Sequence, residues 1–174
     1  MRKKQYMITI YKNCIFSAVI VPGLLFGIVI WGVISGGSHW LTAVGMEGWR
    51  STLFMVTMLT AVPLLMIAVG ALAYTIFERA SPKIWNASVP YLAGFIAGIC
   101  CGFLFAIESG LTQYLPILEP GLVPRLVFTA GRVIIYLPFV ALLSAIFALF
   151  ALAGGYFMYH IGEKMSMRDA LKDT

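Results

Sequence analysis

Residues 90–107 read PYLAGFIAGICCGFLFAI, a run without one charged side chain. As a helix rising 1.5 Å per residue it is about 27 Å long, close to the ~30 Å of hydrocarbon in a bilayer. Gly94, Gly98 and Gly102 recur every fourth residue in this run and therefore share one helix face. Ala93, Ala97 and Cys101 make the neighbouring face small as well. Between lipid-solvated helices there is little hydrophobic drive, so association depends on close packing that small residues permit. The stretch predicts a membrane helix in tight contact with another helix, either of this chain, of another membrane protein or of a second copy. Gly23 and Gly27 form a weaker version of the same pattern earlier in the chain.

Three further apolar runs flank this one, and the expected spans are about 14–34, 52–77, 90–107 and 132–159. Each reaches or approaches the ~20 residues that a crossing requires. The whole chain of 174 residues is 61% hydrophobic and 11% charged, whereas a soluble domain is about a quarter charged. Too few charges remain to coat a water-facing surface, and they gather between the apolar runs. The fold class expected is all-α, an integral membrane four-helix bundle forming a single domain. The basic start followed by an apolar run resembles a signal peptide, but such a core is only about 7–15 residues long. The first run exceeds that and is taken as an uncleaved helix.

Orientation is read from lysine and arginine, which favour the cytoplasmic side of a membrane. Arg2, Lys3, Lys4, Lys12, Arg79, Lys83, Lys164, Arg168 and Lys172 fall on one side of four crossings, against Arg50, Arg125 and Arg132 on the other. Both termini are expected in the cytoplasm of a cell (inner) membrane protein. Trp40 and Trp49 bracket the first outer loop, where amphipathic rings suit the headgroup layer.

Prolines interrupt several segments. Pro63 predicts a modest kink in the second helix, with Thr57 and Thr60 placed to bond nearby carbonyls, including the one freed at Leu59. Pro138 interrupts the fourth. Between the third and fourth helices, 111–131 is apolar yet carries Pro116, Pro120 and Pro124. It is expected as an outer, non-spanning segment at the interface or folded against the bundle, able to act as a lid or to meet a partner.

The candidates for chemistry are sparse. Glu108 and Arg132 border the outer ends of the third and fourth helices, placed either to pair with each other or to anchor separately at the interface. Charged groups cost roughly 2.5–3.5 kcal/mol at a helix centre on insertion scales, and less toward the ends. Cys100 and Cys101 are adjacent on a helix, hence about 100° apart and unsuited to a mutual disulfide. They read as small packing residues. His39 and His160 fall on opposite sides of the membrane and cannot share a metal ion. No catalytic residue, metal site or cofactor is expected. The acceptor pattern Asn86-Ala87-Ser88 falls in a cytoplasmic loop and is taken as chance. A net charge of +5 without a basic stripe does not point to nucleic acid.

The reading that follows is a non-enzymatic membrane subunit or accessory protein, bound to lipid and to another membrane protein or a second copy of itself. Transport, secretion and immunity-type complexes are the settings such chains serve. The alternatives are a small oligomeric transporter or channel, and a lipid-modifying or redox membrane enzyme centred on Glu108 and Arg132.

Overall fold

The computed structural model describes the backbone of residues 2–43, 49–80, 85–112 and 122–170, and the side chains of 16–36, 56, 58–79, 85–109 and 127–164. These residues form four helices, α1 (Arg2–Ala43), α2 (Trp49–Ala80), α3 (Ser88–Thr112) and α4 (Leu122–Ala170). All four are long and apolar enough to cross a membrane, over Phe16–Gly36, Met58–Arg79, Ser88–Ser109 and Val127–Lys164. The chain is a multi-pass helical membrane protein.

Every helix is longer than its apolar core. α4, with 49 residues, measures about 74 Å at 1.5 Å per residue, far beyond the ~30 Å of hydrocarbon. A helix keeps its own backbone bonded, so it continues into the headgroups and water without exposing polar groups to lipid.

The two ends of the expected segment 111–131 are helical, and residues 113–121 lie outside the described residues. Leu111 and Thr112 close α3, and residues 122–131 are the opening turns of α4. Pro124 is the third residue of that helix. The first four helical N–H groups have no intrahelical acceptor, so a proline there removes nothing. Pro116 and Pro120 lie outside the described residues.

Pro63 and Pro138 sit inside unbroken helices. The Thr60 hydroxyl donates to the carbonyl of Val56 at 2.9 Å. That is the reach of a helical threonine to a carbonyl one turn back. Thr57 has no described side chain.

The helices alternate in direction. Gly23 and Gly27 of α1 lie against Ile96 and Cys100 of α3, so those two run parallel. Tyr74 and Glu78 of α2 meet Tyr159 and Gly162 of α4, so these also run parallel. Gly94, Gly98 and Gly102 meet Ala151, Ser144 and Val140 in descending order, so α3 and α4 are antiparallel. Among the described residues α3 touches all three other helices, α2 likewise, and α1 and α4 stand at opposite corners without contact. The opening of α1 and the close of α4 therefore point to the same end of the bundle.

α3 is the most enclosed span, 44% buried against 22–33% for the others, and Gly94, Gly98 and Gly102 lie at its contacts. The core is built of Ala18, Ala73, Ala93, Ala97, Ala106, Ala148 and Ala151 with a few large residues such as Tyr74, Phe77 and Phe147. Large apolar side chains instead point outward, Leu59 and Ile135 each 72% exposed. In water this surface would aggregate; in lipid it is the natural arrangement, small inside for close approach and bulky outside.

Candidate functional site

Two polar or aromatic clusters interrupt the apolar bundle, one at each end. At the first end, Glu108 occupies the last turn of the α3 span. The indole Nε1–H of Trp31 donates to one carboxylate oxygen at 2.9 Å, and the hydroxyl of Ser35 donates to the other. Ser35 is 8% exposed and the adjacent Ser109 is 7% exposed, so the cluster is enclosed on two sides. Ser109 Oγ lies 3.4 Å from the hydroxyl of Tyr136 on α4. Hydrogen bonds to a charged acceptor are roughly twice as strong as neutral ones, which suits a carboxylate placed at the edge of hydrocarbon.

Arg132, one turn before Tyr136 on α4, lies with its guanidinium carbon 5.3 Å from the centre of the Phe128 ring. The contacts given by the described residues thus tie Glu108 to α1 and set Arg132 on an aromatic face of its own helix. A pairing of Glu108 with Arg132 is not among them. Thr129 Oγ1 on the same helix is buried without a partner among the described residues.

At the other end Trp85 inserts among rings from two helices. Its centroid lies 5.3 Å from Tyr74, 5.8 Å from Tyr156 and 5.4 Å from Tyr159. Tyr74 meets Tyr159 edge-on at 6.1 Å. His160 packs edge-on to Tyr156 and sets Nδ1 3.4 Å from a carboxylate oxygen of Glu163. Rings with polar tips favour the level of the headgroups, which is consistent with this cluster's place toward one end of the spans. Directly beside it, Asn86 caps α3. Its side-chain oxygen accepts from the Ser88 N–H at 3.0 Å, and its carbonyl accepts from Val89 N–H at 3.2 Å. The Asn-Ala-Ser pattern thus has a structural use as a helix start.

The small residues are spent on the bundle itself. A Cβ on Gly94 would approach the Phe147 carbonyl oxygen to 2.6 Å, and one on Gly98 would overlap the Ser144 backbone. One on Gly102 would press on Val140 at 3.0 Å, so the whole glycine face of α3 is taken by α4. Gly23 and Gly27 are taken by α3, where a Cβ would come within 2.9 and 2.8 Å of the carbonyl oxygens of Ala93 and Ala97. Cys101 is buried in the core, and Cys100 faces α1, its Sγ 3.9 Å from the Leu24 carbonyl oxygen. Both cysteines are free thiols.

Sequence reasoning did not single out Trp31 and Ser35 as partners of Glu108, nor Gly70, Gly154 and Gly155 as the contact between α2 and α4. Among the described residues no group of three or more His, Cys, Asp or Glu side chains is arranged to hold a metal ion. His39 has no described side chain. Comparison with protein-family models, with curated proteins and with solved structures gives no match.

Proposed function

We propose that this chain is a non-catalytic subunit or accessory protein of a membrane complex, seated in a cell (inner) membrane with both termini in the cytoplasm. The observation that carries the reading is where three hydroxyls away from the Glu108 end of the spans are directed. Thr60, Thr75 and Ser144 each donate to a carbonyl one turn back in their own helix, at 2.9, 2.8 and 2.6 Å. Hydroxyls turned onto their own backbone offer little to a moving solute. The spans contribute packing surfaces instead, and a broad apolar exterior on α1 and α4 at opposite corners.

Orientation rests on the lysine and arginine distribution, nine against three. The side with nine holds the Trp85 end. The partner reading is compatible with an internally spent glycine face on α3, because the outward faces of α1 and α4 stay available to a neighbour. The test is co-purification from native membranes in mild detergent. A defined heteromeric complex is the expected result, and a chain that isolates alone refutes the reading.

A second reading, a small oligomeric transporter, is favoured by one feature. Glu108, Ser109 and Tyr136 place polar groups from α3 and α4 at the mouth of the bundle. Solute flux in liposomes holding this chain alone would support it, and inert liposomes would remove it.

A further inference from the structure

The seam between α1 and α3 is made of two unlike halves. Toward the Trp85 end, Gly23 and Gly27 lie on Ile96 and Cys100, an apolar backbone-level contact. Toward the other end, the same α1 stripe continues by fours to Trp31 and Ser35, and both donate to the Glu108 carboxylate. One half is fixed by shape. The other includes bonds to a carboxylate.

We propose that Glu108 is a proton-operated latch: ionised, it holds Trp31 and Ser35 and keeps the far half of α1 against α3; protonated, it holds them more weakly and loosens that half. An indole N–H is a donor only, and an ionised carboxylate accepts on both oxygens. Protonation turns one oxygen into an O–H donor and removes the charge: the carbonyl oxygen still accepts from Trp31, and the Ser35 hydroxyl can turn to accept from the new O–H. Charge-assisted bonds become neutral ones of about half the strength. The shape-matched half at Gly23 and Gly27 then acts as the hinge. Glu108 occupies the last turn of its span, so protons reach it from the adjacent aqueous side without crossing the bilayer.

Other charged and titratable groups bear on the same end. α4 presents Tyr136 and Arg132. α2 carries no Asp, Glu, Lys, Arg or His from Met58 to Phe77. On α1 the nearest is His39, one turn beyond Ser35, outside the described side chains, as are Glu47, Arg50, Glu119 and Arg125. Imidazole side chains as a class change charge near neutrality, so the experiment separates His39 from Glu108.

Trp31 is its own reporter. The full chain with Trp31 as sole tryptophan (W40F, W49F and W85F) is reconstituted in phosphatidylcholine vesicles and its emission followed from pH 4 to 9. The expected result is one reversible transition, absent in Glu108→Gln and retained in His39→Gln. In Ser35→Ala, which deletes one donor, the midpoint is displaced by about one pH unit, the scale of one charge-assisted bond. Circular dichroism confirms that each variant keeps its helices. Should Glu108→Gln fail to fold, Ser35→Ala decides, and an undisplaced midpoint overturns the proposal. A parent without a transition, a transition that survives Glu108→Gln, or one removed by His39→Gln overturns it equally.

Discussion

Gly70 of α2 lies directly on the backbone of Ala151 of α4, so close that a Cβ on the glycine would overlap the alanine carbonyl. Three residues earlier on α2, the Ile67 carbonyl meets Gly154 in the same way, and Gly155 lies against the Pro90 ring of α3 at 2.7 Å from a built Cβ. Three helices thus converge on one glycine-lined crossing. Neither side can retreat easily, because the atoms met are backbone and not the ends of flexible side chains.

Gly70→Ala is therefore expected to destabilise the bundle despite the better helix propensity of alanine. Overpacking of this kind costs roughly 1–3 kcal/mol, against a propensity gain of about 1 kcal/mol. Gly32→Ala and Gly36→Ala are the controls, since a Cβ at either meets nothing within 4 Å among the described residues. Thermal unfolding in detergent should show Gly70→Ala lowered, with the two controls unchanged or slightly raised. Equal behaviour of all three variants would remove the crossing from the account.

Ser144 offers a sharper separation of polarity from volume. It is fully buried, its hydroxyl bonds the Val140 carbonyl at 2.6 Å, and Gly98 packs on its backbone. The carbonyl retains its place in the helix when the hydroxyl is removed, so Ser144→Ala should change stability by less than about 1 kcal/mol. Ser144→Leu adds bulk beside Gly98 and should fall by about 1–3 kcal/mol. Urea or SDS titration of both variants measures the pair. A large loss in the alanine variant would mean that the hydroxyl has a role beyond its own helix.

Much of this bundle was legible in the sequence because lipid imposes a length and forbids unpaired backbone. Four apolar runs became four spanning helices, and the glycine repeat at 94, 98 and 102 does carry a close contact, with α4. What stayed hidden follows from geometry that hydropathy does not encode. Helix ends continue past the hydrocarbon, so boundaries drawn from apolar runs fall short at both ends of α1 and α4. Pro124 looked like a helix breaker because its position within a first turn is invisible until the turn is placed. Arg132, on the next helix in sequence, offers Glu108 opposite charge, while the bonds described reach Trp31 and Ser35 on α1. The stripe Gly23, Gly27, Trp31, Ser35 runs by fours along α1, and Ile96, Cys100 and Glu108 fall on the matching fours of α3. Reading both stripes as parallel neighbours would have paired Glu108 with neutral donors.

The aromatic cluster at the opposite end yields the last expectation. Trp85 precedes α3 and packs on Tyr74 of α2 and on Tyr156 and Tyr159 of α4, so one side chain joins three elements. Aromatic pairs are worth about 0.5–1.5 kcal/mol each beyond their area. Trp85→Ala removes three such contacts and is expected to lower stability by roughly 2–4 kcal/mol. Trp85→Phe keeps a ring in place and should lose about half as much or less. The loss should be local as well as global. Hydrogen exchange ought to rise first in the opening turn of α3, where Asn86 and Ser88 set the helix start beside Trp85. Uniform exchange along α3 in Trp85→Ala, or a phenylalanine variant as damaged as the alanine one, would show that the rings merely sit near that end of the bundle and do not anchor it.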